Sequence, residues 1–266
     1  MINEMMAENI EAVAGLIARS RRIVVFTGAG ISTESGIPDF RSPGGIWTKY
    51  EPDDFTIQRY RTSQAVRKKV WRLLIDPDLK FGLAEPNPGH LAIAELQTME
   101  KLYAVVTQNI DGLHQKAGVS GDLVFELHGD MSHAICLNCS INYTSDQVIQ
   151  WLEGGIEDPP CMECGGMLKP AGIFFGEQLP PDVLMEAERR CRTCDLCIVV
   201  GSSLQVIPAA YLPQYAIQSN AKLVIVNIGS TPLDRMAHVR IDDKSSKALP
   251  RIMERAGKML AGDGSL

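Results

Sequence analysis

Short apolar runs alternate along the chain with amphipathic stretches. The apolar runs are rich in β-branched residues, and each ends at small or polar residues. They span residues 23–26, 102–107, 196–200 and 223–226. Such runs are typical of strands buried on both faces of a parallel sheet. Helical periodicity appears before and between them, for example at 6–17, 87–99 and 208–219. The alternation predicts an α/β fold, a Rossmann-like parallel sheet with helices on both faces.

Two segments interrupt this alternation. Residues 42–85 are rich in charged and aromatic side chains and contain a predicted helix at 63–74. Residues 136–170 contain four cysteines among clustered glycines and prolines. We interpret them as a helical insertion and a metal-binding module that together form a smaller domain. The larger, Rossmann-like domain would then comprise residues 1–41, 86–135 and 171–266.

Two Cys-x-x-Cys pairs predict a metal site. Cys136 and Cys139 form the first pair, and Cys161 and Cys164 follow after 21 intervening residues. Four thiolates complete a tetrahedral shell around Zn²⁺ and leave no open position for chemistry. The spacing slightly exceeds that of most zinc ribbons. Unliganded buried cysteines are the alternative, but the pattern favours one structural zinc ion in a zinc-ribbon module.

The other three cysteines, Cys191, Cys194 and Cys197, also repeat at a three-residue spacing. Such a spacing occurs in iron–sulfur proteins, which need a fourth ligand. No fourth cysteine is left once zinc has taken four of the seven. We therefore interpret the three as small buried hydrophobes, with a redox-sensitive thiol as the alternative.

Small and polar residues follow the predicted strands, where ligands bind in parallel α/β sheets. Residues 28–30, 201–203 and 227–229 are such endings. The first is glycine-rich and would let backbone N–H groups approach a pyrophosphate. It is not an ordinary dinucleotide fingerprint, because Thr33 stands where the third glycine is expected. Glycines that merely connect strand to helix are the alternative, but three endings on one sheet edge favour a nucleotide site.

Composition and charge exclude several classes of protein. Of the 266 residues, 45% are apolar and 22% charged, as in ordinary globular chains. A net charge of −6 gives no general attraction to nucleic acid or to anionic membranes. No apolar run is long enough to cross a bilayer, and the first residues lack the order of a signal peptide. We expect a cytoplasmic monomer that binds neither nucleic acid nor membrane.

Several motifs, taken in order, resemble the sirtuins, a family of NAD-dependent protein lysine deacylases. They are GAGISTESGIPDFR at 28–41, TQNID at 107–111, ELHG at 126–129, the four cysteines, FFGE at 174–177, GSS at 201–203 and VNIG at 226–229. The resemblance implies NAD as cosubstrate and an acylated lysine in a protein or peptide as substrate. In the family reaction the nicotinamide–ribose bond is cleaved and the acyl group moves from lysine to ADP-ribose.

The resemblance implies roles for three catalytic residues. His128 would be the general base that draws a proton from the ribose hydroxyls, a task suited to an imidazole near neutral pH. Asn109 would orient the ribose and its water. Asp111, with the Ile110 backbone, would hold the nicotinamide carboxamide. On sequence alone a single histidine is more often structural, and Asn or Asp after a strand often caps a turn or helix.

The same resemblance assigns NAD contacts to the loops at the strand ends. Phe40 would cover the departing nicotinamide, and Arg41 could bind a phosphate or ribose. A core aromatic and a surface ion pair are the respective alternatives. The expected contacts are Gly28, Ala29, Gly30, Thr33, Phe40, Arg41, Gln108, Ile110, Gly201, Ser202, Asn227, Lys244 and Ser245.

The stretch before Phe-Gly-Glu pairs with the peptide substrate in sirtuins, which implies that Gly172, Ile173 and Phe174 bind it. Ala171 and Gly172 depart from the acidic or Asn residue and β-branched residues common there, so a side-chain wall is missing. Sirtuins that prefer succinyl or malonyl groups carry Tyr-x-x-Arg in the helical insertion, and this chain has none. Although Arg67 or Arg72 could substitute, we expect a neutral acyl group, acetyl by default or a longer chain if the pocket is open.

Two rival functions stay open. Mono-ADP-ribosyl transfer to protein would use the same bond cleavage with a different acceptor. A non-catalytic NAD-binding module would use the same fold, although it would not need to keep His128, Asn109 and Asp111.

Overall fold

Helices and strands alternate along the chain in the computed structural model, which describes residues 2–76, 79 and 83–263. The helices are α1 (Ile2–Arg19), α2 (Ile57–Thr62), α3 (Gln64–Leu74), α4 (Pro88–Thr98), α5 (Leu113–Lys116), α6 (Ser145–Glu153), α7 (Pro181–Thr193), α8 (Leu212–Gln218) and α9 (Ser245–Asp263). The strands are β1 (Ile23–Thr27), β2 (Leu102–Thr107), β3 (Val124–Glu126), β4 (His133–Cys136), β5 (Asn142–Thr144), β6 (Leu168–Pro170), β7 (Leu196–Val200), β8 (Lys222–Val226) and β9 (Val239–Ile241).

The larger sheet is parallel, with the strand order β3-β2-β1-β7-β8-β9. Its four central strands are those that the sequence predicts, and the structure confirms them. The chain builds β1, β2 and β3 outward in one direction and β7, β8 and β9 in the other. The order therefore reverses between β1 and β7, and ligands of open α/β sheets bind at such a switch point.

Both faces of this sheet are covered by helices. Val25 and Ile198 pack on one face against residues of α1, α4 and α9. Phe26 and Val199 point to the other face, toward residues of α7 and α8. Neighbouring strand residues thus enter opposite apolar layers, as the pleat requires. This explains why the central strands are continuous apolar runs: each is buried on both sides.

Capping side chains explain where several helices begin. The Ser63 hydroxyl accepts from the Val66 N–H at the start of α3, and Asn87 accepts from the Gly89 N–H at the start of α4. Each satisfies a backbone donor that the first turn leaves unpaired. The helices predicted at 63–74 and 87–99 are thereby confirmed. The helix predicted at 208–219 instead starts as a 3-10 turn and becomes α8 only at Leu212, next to Pro213.

A second, antiparallel sheet has the order β5-β4-β6. It lies against α2, α3 and α6 through one apolar core, in which Tyr60 and Trp71 meet Tyr143 and Leu168. The Tyr60 hydroxyl donates to the Leu168 carbonyl at 2.6 Å. The helices of 57–74 and the cysteine-containing segment therefore share a core that is separate from the two layers of the parallel sheet.

Part of the predicted division lies outside the described residues, namely residues 77, 78 and 80–82 of the helical insertion and residues 1 and 264–266 of the larger domain. Among the helices that the structure does describe, none is both long and apolar enough to cross a membrane.

Candidate active site

A cavity of about 700 Å³ lies at the carboxyl ends of β1, β2, β7 and β8. Its volume is in the range of small-molecule and cofactor sites. It is lined by the predicted residues Gly28, Ala29, Gly30, Thr33, Phe40, Arg41, Gln108, Asn109, His128, Gly201, Ser202, Asn227, Lys244 and Ser245. The fold therefore brings fourteen residues from distant parts of the sequence to one site.

The loops after β1 and β7 approach each other backbone to backbone. The Gly30 N–H donates to the Gly201 carbonyl at 2.8 Å, and the Gly28 N–H donates to Val200 at 3.2 Å. A Cβ on Gly30 would lie only 2.8 Å from the Gly201 oxygen. These two N–H groups are thus used inside the protein and do not make the predicted approach to a pyrophosphate. Glycine is needed here for contact between the loops.

His128 lies two residues after β3 and lines the cavity. Its Nδ1 is 2.9 Å from the Gln108 carbonyl oxygen. A carbonyl can only accept, so Nδ1 carries the hydrogen and Nε2 keeps the free lone pair. Burial lowers the pKa of His128, and the hydrogen bond to Gln108 only partly opposes this. The ring is therefore neutral at pH 7, with Nε2 able to accept a proton.

Asn109 is held by hydrogen bonds at two points. Its backbone N–H donates to the Thr107 hydroxyl at 3.0 Å, and its amide nitrogen donates to the Ser32 hydroxyl at 3.1 Å. Ser32 is buried and donates in turn to Asp111 at 2.7 Å. Ser32 thus fixes which way the amide of Asn109 faces. The sequence analysis did not single out Ser32, although it lies inside the motif at 28–41.

Asp111 and Ile110 lie beside the cavity rather than in its lining. One Asp111 oxygen accepts from the Leu113 N–H at 3.0 Å, at the start of α5, and the other accepts from Ser32. The turn-capping alternative is therefore present in the structure. The same contacts also connect Asp111 to Asn109 through the Ser32 hydroxyl, which is hydrogen-bonded to both side chains.

Two buried histidines support this network and were not predicted to matter. The Nδ1 of His90 accepts from the Asn87 N–H at 3.3 Å, and its Nε2 lies 3.5 Å from the Ser32 hydroxyl. His114 Nε2 lies 2.9 Å from the Thr27 hydroxyl. Burial lowers the pKa of His90 to about 4 and that of His114 to about 3. Both rings are neutral in the folded protein.

These two histidines predict that acid destabilises the fold. Each would have a pKa near 6.5 in the unfolded chain, which therefore binds more protons than the folded protein below that pH. We expect the free energy of unfolding to fall between pH 6.5 and pH 5, with a slope that approaches about 1.4 kcal/mol per pH unit for each histidine toward pH 5. Urea unfolding at pH 7 and pH 5 measures this. A His114→Gln variant should show a smaller pH dependence, and equal midpoints at the two pH values in the wild type would contradict the prediction.

Acidic side chains also line the cavity, and the sequence analysis missed them. Glu34 lies 3.4 Å from the Lys244 ammonium and also accepts from the Ser246 hydroxyl. Asp39 accepts from the Arg41 N–H at 3.1 Å and so shapes the loop that carries Phe40 and Arg41. The lining residues outside the prediction are Glu34, Pro38, Asp39, Ser42, Pro43, Gly44, Gly45, Ser203, Gln205, Val206, Val226, Ile228 and Asp243.

The predicted peptide-binding segment runs next to His128. The Ile173 N–H donates to the His128 carbonyl at 2.7 Å. The Phe174 side chain, in contrast, is buried in the core of the small sheet, 5.0 Å from the Tyr60 ring. Phe175 is 44% exposed and lies near Trp47. The structure thus buries the side chain of Phe174 and exposes that of Phe175, so that Phe174 presents only its backbone to a peptide.

The four predicted ligands form a single cluster. All four Sγ atoms lie within 4.8 Å of one another, and the Cys136–Cys164 and Cys139–Cys161 distances are both 3.6 Å. A tetrahedral shell with Zn–S bonds of about 2.3 Å places sulfur atoms about 3.8 Å apart. The donor set fits one structural zinc ion with a closed shell.

The remaining cysteines are buried in the apolar layer formed by α7, α8 and one face of the parallel sheet. Burial raises the pKa of all three thiols, that of Cys194 to about 12. They are therefore protonated and packed, as the sequence analysis favoured.

Comparison with known proteins places the chain in a family. The model of the Sir2 family matches residues 28–208, more than half of the chain. The chain belongs to the Sir2 family. The sirtuin predicted from the motifs is thus confirmed, and so is its α/β, Rossmann-like fold with an inserted zinc-binding region.

This sirtuin has relatives over nearly its whole length. It is 41% identical to the NAD-dependent protein deacetylase 1 of Pyrobaculum aerophilum, over 95% of this chain and 97% of the relative. It is 42% identical to the NAD-dependent protein deacylase 2 of Archaeoglobus fulgidus, over 96% and 98%. A solved structure of Sir2 with a p53 peptide and NAD⁺ superposes with a TM-score of 0.83 at 40% identity, and the alignment covers 92% of this chain and 97% of that one.

Proposed function

We propose that this sirtuin is an NAD-dependent protein lysine deacylase, acting mainly as a deacetylase. The observation that carries the proposal is that His128 and Asn109 line one cavity at the switch point of the sheet, with the His128 ring neutral and its Nε2 free. The relatives and the solved structure support the same cofactor and the same class of reaction.

The lining of the cavity fits NAD as cosubstrate. Gly201, Ser202, Asn227, Lys244 and Ser245 would hold the adenosine half at the ends of β7 and β8 and the start of α9. Residues of the loop after β1, namely Gly28, Ala29, Gly30, Thr33, Phe40 and Arg41, would face the phosphates and the nicotinamide. Bound there, NAD supplies an electrophilic ribose carbon and a neutral leaving group.

His128, Asn109 and Asp111 would act on the ribose end of the site. His128 accepts a proton at Nε2 from a ribose hydroxyl, and the Gln108 carbonyl stabilises the resulting imidazolium through Nδ1. Asn109 orients the ribose with an amide that Ser32 holds in place. Asp111 keeps Ser32 in position and, with the Ile110 backbone, holds the carboxamide.

An acylated lysine of a protein or peptide would enter between the two domains, with the peptide backbone lying along the Gly172–Ile173 segment. The hydrogen bond from Ile173 to His128 brings this segment next to the reacting residue. Backbone pairing here binds a peptide without reading much of its sequence. Phe174 would contribute its backbone to this pairing, and Phe175 is the exposed aromatic side chain beside this path.

We also propose the two-domain division given above, with residues 42–85 and 136–170 forming the smaller domain. Its support is the shared core of Tyr60, Trp71 and Leu168, which is distinct from the layers of the parallel sheet.

We propose that the protein is cytoplasmic, since seven free cysteines suit a reducing compartment. We also propose that it is a monomer. The net charge of −6 supports a protein substrate rather than a nucleic acid.

The test is product analysis. The purified protein is incubated with NAD and an acetyl-lysine peptide, and all products are followed by mass spectrometry. We expect nicotinamide, the free-lysine peptide and O-acetyl-ADP-ribose in equal amounts. Nicotinamide release accompanied by ADP-ribose on protein, with the peptide still acetylated, would establish ADP-ribosyl transfer instead. NAD binding without any turnover would leave a binding module.

A further inference from the structure

Lys169, the middle residue of β6, is a buried lysine that the proposed reaction does not use. It is 3% exposed, and lysine is almost never buried to this extent unless it is paired. Its ammonium group donates to the Pro170 carbonyl at 2.8 Å and to the Gly172 carbonyl at 2.7 Å, and it forms a 3.0 Å ion pair with Glu177. These three acceptors match the three donors of an ammonium group, which is therefore not available to a substrate.

The acceptors of this ammonium group lie on both sides of the predicted peptide-binding segment, residues 172–174. Gly172 begins the segment, and Glu177 follows its end. The Glu177 carboxylate also accepts from the Phe174 N–H at 2.7 Å. The ammonium nitrogen lies 4.6 Å from the centre of the Phe174 ring, within the range of a cation–π interaction. One buried ion pair therefore fixes both ends of the segment.

The same bonds determine which backbone groups the segment can offer to a peptide. The Gly172 carbonyl is bonded to Lys169, and the Ile173 N–H donates to the His128 carbonyl at 2.7 Å. Within the part of the chain that the structure describes, the Gly172 N–H and the Ile173 carbonyl have no hydrogen-bond partner. A peptide that pairs with this backbone needs such groups, which the protein itself does not use.

No regular strand holds this segment in place. β6 ends at Pro170, and residues 171–174 belong to no helix or strand. Gly172 adds flexibility, because a glycine backbone has more conformations to lose than that of any other residue. Without the Lys169 ammonium, the Gly172 carbonyl loses its partner and the Glu177 carboxylate, 19% exposed, loses its counter-charge. The segment would then move, and a peptide would have to order it on binding.

We propose that Lys169 is a positioning residue for the peptide substrate: paired with Glu177, it holds the segment at 172–174 in a backbone geometry that can pair with an acylated peptide. The inference rests on the proposed lysine deacylase function and adds to it a residue that acts on substrate binding through the backbone. The effect is confined to the peptide, since neither Lys169 nor Glu177 lines the cavity proposed for NAD.

The experiment measures the Kd of one acetyl-lysine peptide by fluorescence anisotropy without NAD, so that binding is observed in the absence of turnover. Wild type is compared with Lys169→Met and with the double variant Lys169→Met/Glu177→Met. Ordering the backbone of one residue on binding weakens affinity about five- to thirtyfold, so we expect the peptide Kd to rise about tenfold in both variants. The KM for NAD at saturating peptide should change by no more than about twofold, because the two sites share no contact with Lys169.

Lys101→Met is the matched control. The Lys101 ammonium also donates to two carbonyls, those of Ala18 and Ser20, both at 2.8 Å. Lys101 directly precedes β2, so it lies at the end of the sheet opposite to the cavity. Its loss should lower the melting temperature and leave the peptide Kd within about twofold.

The double variant separates positioning from stability, because apolar residues in place of a buried ion pair often leave the stability of a protein unchanged. A weaker peptide complex at an unchanged melting temperature is a result that a merely structural role of Lys169 would not give.

Each outcome decides the inference. A peptide Kd that Lys169→Met leaves unchanged overturns it, and so does an equal rise in the KM for NAD. A rise of the same size in Lys101→Met also overturns it, because general destabilisation would then explain the effect. If Lys169→Met does not fold by circular dichroism, the Kd of the double variant decides. A wild type that binds the peptide but never deacetylates it refutes the deacylase proposal alone, since the peptide Kd of the variants still tests the role of Lys169.

Discussion

Removal of zinc with a chelator is expected to unfold the small sheet and to lower the melting temperature of the protein by at least about 10 °C. Four thiolates within 4.8 Å repel one another when no cation lies between them. Cys136 and Cys161 also belong to the core shared with Tyr60 and Trp71, so their separation would disrupt that core. Binding of a structural zinc ion contributes about 10 kcal/mol or more to folding, which makes this effect large.

Metal content and thermal unfolding test this. We expect one zinc per chain, lost in Cys161→Ser. Cys191→Ala is the matched control, because Cys191 is buried outside the cluster and should leave the zinc content at one. Deacylase activity should fall when the zinc-binding module unfolds, since β6 leads directly into the predicted peptide-binding segment at 172–174. A metal-free protein with an unchanged melting temperature would exclude the structural role.

The sequence predicts the four central strands well because a strand that is buried on both faces is a continuous apolar run. β1, β2, β7 and β8 are apolar runs whose β-branched residues suit no other position. The edge strands β3 and β9 have three residues each, and neither is a continuous apolar run. They exist because a neighbouring strand offers hydrogen-bond partners, which is a tertiary effect.

The candidate site, like the fold, contains residues that the sequence identifies and residues that only the structure brings together. His128 and Asn109 lie in motifs that are contiguous in the sequence, so reading along the chain finds them. His90 and His114 act through hydrogen bonds that join residues far apart in the sequence, and no local pattern reveals them. Ser32 lies inside a motif, but its bond to Asn109 also joins distant residues, so the sequence does not show its role. The chain bends between β6 and Phe174. Side chains alternate regularly between the two faces only within a strand, so the sequence does not show which of Phe174 and Phe175 is exposed.

Replacing His128 with alanine is expected to reduce kcat/KM for deacylation by about 10²–10⁴-fold, the usual contribution of a general base. The Gln108 carbonyl fixes the proton on Nδ1, so the loss removes the Nε2 lone pair that we propose as the proton acceptor for the ribose hydroxyl. NAD binding, measured by calorimetry, should change little, because the contacts that we propose for the adenosine half lie at the ends of β7 and β8, away from His128. His133→Ala removes an identical ring, half-buried beside Asp130, and should keep activity within a few-fold.

The pH profile separates this role from a structural one. The base must be neutral, so activity rises with pH as His128 loses its proton. Burial lowers the pKa of His128, and the midpoint of the rise should therefore lie below pH 6.5, the ordinary value for histidine. The residual activity of His128→Ala should lack this limb, because the titrating group is gone. A wild-type midpoint above 6.5, or an identical limb in the variant, would assign the proton transfer to another residue.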